Sequence, residues 1–127
     1  MIEDRLRELS IELPTPPSPA GSYIPVVTTG NLAFVSGQIP MKEGKIIFEG
    51  KVPETQSVDS AREAAKICII NGLAQLKAKL GSLDKITKFV RISGFVNSSI
   101  SFTEQPKVIN AASVSYTHLT LPTICSV

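Results

Sequence analysis

Leu32-Ala33-Phe34-Val35-Ser36-Gly37-Gln38-Ile39-Pro40 is the stretch whose reading decides the fold of this chain. A run of β-prone apolar residues passes directly into a small polar step and is closed by Pro40, which has no N–H to offer a sheet ladder. The pattern predicts a strand that ends at an exposed edge, with Gly37 taking backbone angles that other residues resist. Alone, it describes only a strand ending in a turn. The neighbouring segments say what that strand belongs to.

Upstream, Val26-Val27-Thr28 is a second β-rich run, separated from the first by Thr29-Gly30-Asn31, so the two should form an antiparallel hairpin. Gly21-Ser22-Tyr23-Ile24-Pro25 places a tyrosine just before that sheet. Further back, Ile2, Leu6 and Leu9 recur at helical spacing among charged residues and predict a short helix. Leu13-Pro14-Thr15-Pro16-Pro17-Ser18-Pro19 should follow as an extended connector on the surface. Downstream, a turn at Met41 to Glu43, a short third strand at Ile46-Ile47-Phe48 and a loop from Gly50 to Glu54 are expected.

From Val58 to Leu80 the period becomes helical. Ser57 or Thr55 can cap the start, Gly81 supplies a stop, and Ala61, Ala65, Cys68, Gly72, Leu76 and Leu80 form an apolar stripe widened by Ile69 and Leu73. Arg62, Glu63, Lys66, Lys77 and Lys79 suit the solvent side. Lys88 to Asn97 carries apolar residues on both sides of an alternating pattern and predicts a central strand, which a helix this long can join by a parallel crossover. A second helix is expected beyond Ser98 to Phe102, with Ser101 and Glu104 spaced as a capping box and Pro106 arguing for a later start. From Ser113 to Val127 there is no formal charge and little helical or strand patterning.

The 127 residues suffice for one domain with a real core, and 13 basic against 11 acidic side chains, scattered along the chain, do not call for nucleic acid as a partner. No apolar run is long enough to span a bilayer, so a soluble, cytoplasmic protein is expected. Cys68, among isoleucines, reads as a packing residue, and it forms no metal spacing with Cys125. His118 is the sole histidine and lies near the C-terminus, so no metal centre and no cofactor are expected.

Gly21-Ser22-Tyr23, the Gly30-Asn31-Leu32 hairpin, Phe34 to Pro40, the Ala-rich helix, the strand ending Gly94-Phe95-Val96-Asn97, and Phe102 to Asn110 resemble the RidA/YjgF family in the same order. The resemblance is to its longer-chain branch and covers Ile2 to about Ala112. It implies an α+β, chorismate-mutase-like fold, a mixed sheet with two helices packed on one face. It also implies a homotrimer with ligand pockets between subunits, and hydrolysis of reactive enamines and imines such as 2-aminoacrylate to 2-keto acids and ammonia. Older family names speak of translation inhibitors and endoribonucleases.

By the same resemblance Tyr23 stands beside the pocket, Ser36 and Gly37 line it, Phe102 lies near the cleft and Asn110 reaches it from the second helix. An imine is already electrophilic, so a site of this kind mainly holds a carboxylate, positions a water and supplies modest proton transfer.

The chain departs from the family after Ala112, where the resemblance implies an Arg-Ser step and two further strands, the last bearing a glutamate. That arginine would grip the substrate carboxylate and the glutamate would activate water. Arg91 does not occupy the matching position. Ser115 to Val127 resembles translated sequencing-adapter read-through, so residues 1–112 read as a domain incomplete at its C-terminus and residues 113–127 as a non-native tail. Deamination is therefore expected of the complete parent, and poor stability or misassembly of this chain. A trimer that binds a small metabolite without turnover stays open as an alternative, with RNA cleavage or binding third.

Overall fold

Gly30, at φ 54°, turns Val26–Thr29 (β1) back on Leu32–Val35 (β2), and the two pair antiparallel from Val26 with Val35 to Thr29 with Leu32. The computed structural model describes residues 2–16 and 24–119, with side chains through Ser113. The hairpin extends by one further bond, Ser36 N to the Pro25 carbonyl at 2.9 Å.

A second hairpin pairs Met41–Lys42 (β3) with Lys45–Ile46 (β4) across Glu43 and Gly44, both at positive φ. This shifts the expectation of a turn at Met41 to Glu43 and a strand at Ile46 to Phe48. The twist of a two-residue hairpin favours positive φ at both central residues, and Glu43-Gly44 meets that demand where Met41 to Glu43 does not.

Helix α1 spans Ile2–Glu8 and α2 spans Val58–Leu80, the latter bounded as its sequence predicts. Ser57 Oγ accepts the Ser60 N–H at the start, and Gly81 at φ 86° donates its N–H to the Lys77 carbonyl at the end. From Asn71 to Leu76 every residue is buried. No single apolar stripe can describe this stretch, because β1 to β3, α3 and a 3-10 turn at Leu83–Lys85 pack around α2 from different sides. Arg62, expected on the wet face, is half-buried and donates to the Lys107 carbonyl.

Helix α3 spans Gln105–Leu119. It starts near Pro106 and leaves Ser101 outside, so the expected capping box does not form. The Gln105 side chain instead holds the preceding turn, donating to the Phe102 carbonyl at 2.9 Å and Ser98 Oγ at 3.3 Å. The helix also runs on past Ala112, where little helical patterning is legible. It packs against α2 and α1.

The largest departure is Lys88 to Asn97, expected as a central strand. Its one ladder contact is a parallel bridge between Val52 and Ser98, in which Val52 N donates to the Asn97 carbonyl and Ser99 N to the Val52 carbonyl. The parallel sense across α2 is the expected one. A strand is defined by its ladder, however, and among the described residues Lys88 to Val96 is not part of one. Phe89 and Val96 pack inward while Val90 and Phe95 are exposed.

Among the described residues, two clusters form the core. Ile2, Leu6, Val26, Leu73, Leu76 and Leu83 make the first, with Leu83 fully buried. Leu13, expected on a surface connector, packs against it together with Ile11. Val52, Ala61, Phe102 and Val108 make the second.

Candidate ligand-binding site

The polar step after β2 is positioned by α2. Gly72 presents no side chain there, and a Cβ at that position would stand 3.9 Å from Val35 and 3.8 Å from Gln38, so the end of β2 lies directly on the helix. One residue earlier, Asn71 is 3% exposed and donates its side-chain amide to the Met41 carbonyl at 2.9 Å and the Ile39 carbonyl at 3.3 Å. Gln38 folds back to donate to the Ser36 carbonyl at 3.2 Å. Ser36 through Met41 is thus anchored at both ends.

Within this frame Ser36 Oγ is buried and has no hydrogen-bond partner among the described residues. A buried hydroxyl in that state is unfavourable by about 1–3 kcal/mol. Gly37 is exposed with open space where a Cβ would stand, and it does not use the left-handed angles expected of it. Its value is the room it leaves.

The other expected site residues lie elsewhere. Phe102 is sealed in the second core cluster with Ala61, while Gly72 marks the Ser36 end of the same helix. Ala61 and Gly72 are about three turns apart along α2, roughly 16 Å. Within one chain Phe102 and Ser36 therefore do not share a wall. Asn110 is exposed on α3, one residue from Ile109, which packs on Gly94. Tyr23 lies outside the described residues. Asn71 was not legible as a site residue, although an asparagine beside glycine in the run Ile69-Ile70-Asn71-Gly72-Leu73 is the signal that could have found it.

The electrostatics are quiet. Burial pushes the Cys68 thiol up to about 11, which keeps it protonated and inert at neutral pH. No group of three or more potential metal ligands occurs among the described residues, and no described helix is long and apolar enough to cross a membrane.

A hairpin laid on a long helix, with a second helix alongside and a parallel return through Val52 and Ser98, defines an α+β protein of chorismate-mutase-like fold. A family described as "YjgF/chorismate mutase-like, putative endoribonuclease" matches residues 3–120, and the chain belongs to it. Protein TCP17 of Trypanosoma cruzi is 38% identical over 108 residues, 85% of this chain and 68% of that protein. Among solved structures, protein Atu1372 of unknown function from Agrobacterium tumefaciens is 44% identical with a TM-score of 0.85, the match covering 95% of this chain and 74% of that one. A "putative endoribonuclease" from Shewanella oneidensis MR-1 is 30% identical with a TM-score of 0.89, covering 94% and 79%.

Proposed function

We propose that the complete parent of this chain is a trimeric hydrolase that deaminates reactive enamine and imine acids of the 2-aminoacrylate type. In this reading Ser36 and Gly37 form one wall of a pocket between subunits. The observation that carries it is the buried, unpartnered Ser36 Oγ beside the open space at Gly37. A small polar ligand can meet a donor or acceptor there without displacing a side chain. Support for assembly comes from the hairpin's outer face, where Val27, Leu32 and Phe34 remain 52%, 47% and 57% exposed. Apolar surface of this kind marks contact with another chain.

The chemistry asks little of the wall. The carbon of an imine is electrophilic, so water adds to it, the tetrahedral carbinolamine expels ammonia and the keto acid is left. Ser36 Oγ would hold the substrate or the water, and Asn110 would approach from α3 of an adjoining subunit. The carboxylate-binding arginine and water-activating glutamate would come from residues of the parent that have no counterpart after Ala112, so this chain is expected to be inactive by itself.

Mixing the parent with a freshly generated 2-imino acid should speed release of keto acid and ammonia over buffer. No acceleration would sink the proposal. Saturable binding of a small carboxylate without product would favour the alternative of a metabolite-binding trimer, which the absence of a charged side chain from Ser36 to Pro40 supports. The family description also speaks of endoribonuclease activity. Salt-dependent RNA binding by a nuclease-free preparation would revive that third reading.

A further inference from the structure

We infer that Asn71 is a positioning residue for the Ser36–Gly37 wall, an inference that rests on reading this wall as a ligand contact. Helix α2 runs past the turn after β2, and Asn71 is where the two are joined by hydrogen bonds. Its Nδ2 donates to the carbonyls on either side of Pro40, Met41 at 2.9 Å and Ile39 at 3.3 Å. The Ile39 carbonyl also accepts Met41 N at 2.7 Å, and the Pro40 carbonyl accepts Ile47 N at 3.2 Å. Each of the three carbonyls of the turn is thereby engaged.

An asparagine inside a helix is unfavourable by intrinsic preference and, at 3% exposure, must have its polar atoms met. Leucine at this position would satisfy the apolar neighbourhood Ile69, Ile70 and Leu73, but it would take the side-chain donor from the Met41 carbonyl and leave the Ile39 carbonyl with Met41 N alone. The amide is therefore suited to holding a turn. Because Gly72 seats Val35 and Gln38 directly on the helix, the amide one residue away sets how far Ser36 and Gly37 stand from α2. Asn71 reaches the site through the turn and touches no ligand itself.

Hydrogen exchange on this chain tests the claim independently of any activity. In Asn71→Ala, exchange at the Met41 and Ile47 amides should rise about tenfold or more, as expected for losing two hydrogen bonds, while Gly81 at the far end of α2 is unchanged. Unchanged exchange at Met41 and Ile47 overturns the inference. Should the variant not fold, the unmodified chain decides it by NMR. The Asn71 side-chain protons should exchange as slowly as buried helix amides, and exchange at the rate of a free asparagine overturns the inference. In the parent, Asn71→Ala should raise KM for the 2-imino acid about tenfold with kcat held within roughly twofold, a split that general destabilisation does not produce. An unchanged KM overturns the positioning role. A parent without turnover defeats the deaminase reading while the exchange results still decide Asn71.

Discussion

Glu3 and Asp84, 81 residues apart, cap one another's helices: Glu3 N donates to Asp84 Oδ1 at 2.9 Å, and Glu3 Oε1 accepts the Leu83 N–H at 3.2 Å. Glu3 Oε2 also receives Lys77 Nζ at 3.2 Å. The exchange closes the start of α1 against the 3-10 turn that follows α2, directly over the core residues Ile2, Leu6 and Leu83. A seven-residue helix could not persist by propensity alone.

Glu3→Ala and Asp84→Ala should each lower stability by about 1 kcal/mol, the usual worth of a cap. Each side chain makes its own bond to the opposite backbone, but the two bonds hold the same pair of segments together, so the double variant should lose less than the sum. Urea titrations of the four proteins measure this. Strict additivity would show that the two residues act separately.

At the other end of the molecule, a Cβ on Gly94 would overlap the side chain of Ile109. Gly94→Ala should therefore destabilise by about 1–3 kcal/mol through overpacking. Adding Ile109→Ala should recover part of that loss in the double variant, whereas Ile109→Ala alone is destabilising. A Gly94→Ala chain as stable as the original would show that α3 yields freely.

Ser36→Ala presents the opposite case. It removes a buried hydroxyl that has no partner, so thermal stability should be unchanged or raised by up to about 1 kcal/mol. In the parent the same change should weaken binding of the imino acid. A loss of stability instead would assign Ser36 to the scaffold and count against its place in the pocket.

Ser57→Ala should cost about 1 kcal/mol and Ser57→Gly only a few tenths, since Ser57 Oγ accepts the Ser60 N–H at 3.0 Å at the start of α2. Thermal melts followed by circular dichroism check the order.

Cys68 supplies a pH test. Burial raises the thiol from its ordinary 9.0 to about 11, so at pH 8 the folded chain should hold roughly a hundredfold less thiolate at this position than the unfolded chain. Iodoacetamide labelling of the Cys68 peptide, followed by mass spectrometry, should be slow in buffer and fast in urea. The raised value also means that this group's contribution to stability is complete below about pH 9 and fades as pH rises through about 11. Equal labelling in both conditions would place Cys68 in solvent.

Local chemistry was legible where it acts locally. The Gly30 turn, the Ser57 and Gly81 ends of α2, and the ordered motifs that mark the family need only neighbouring residues. Lys88 to Asn97 misled because alternation reports that a segment can lie in a sheet, whereas a ladder requires a second backbone alongside. Phe102 was ambiguous for a different reason: an aromatic near a cleft and an aromatic in a core have the same sequence signature, and within one chain it is buried in a cluster with Val52, Ala61 and Val108.

The amino-acid sequence by itself determined the hairpin that ends in Ser36-Gly37-Gln38, the bounds of the helix beneath it and the family to which both belong. Only the tertiary structure decided that Asn71 holds the turn, that Ser36 Oγ is buried without a partner, and that Phe102 stands about three turns of α2 away. The physical reason is that turn angles and helix ends are set by residues next to one another. Burial and hydrogen-bond satisfaction are set by residues that meet only after the chain has packed.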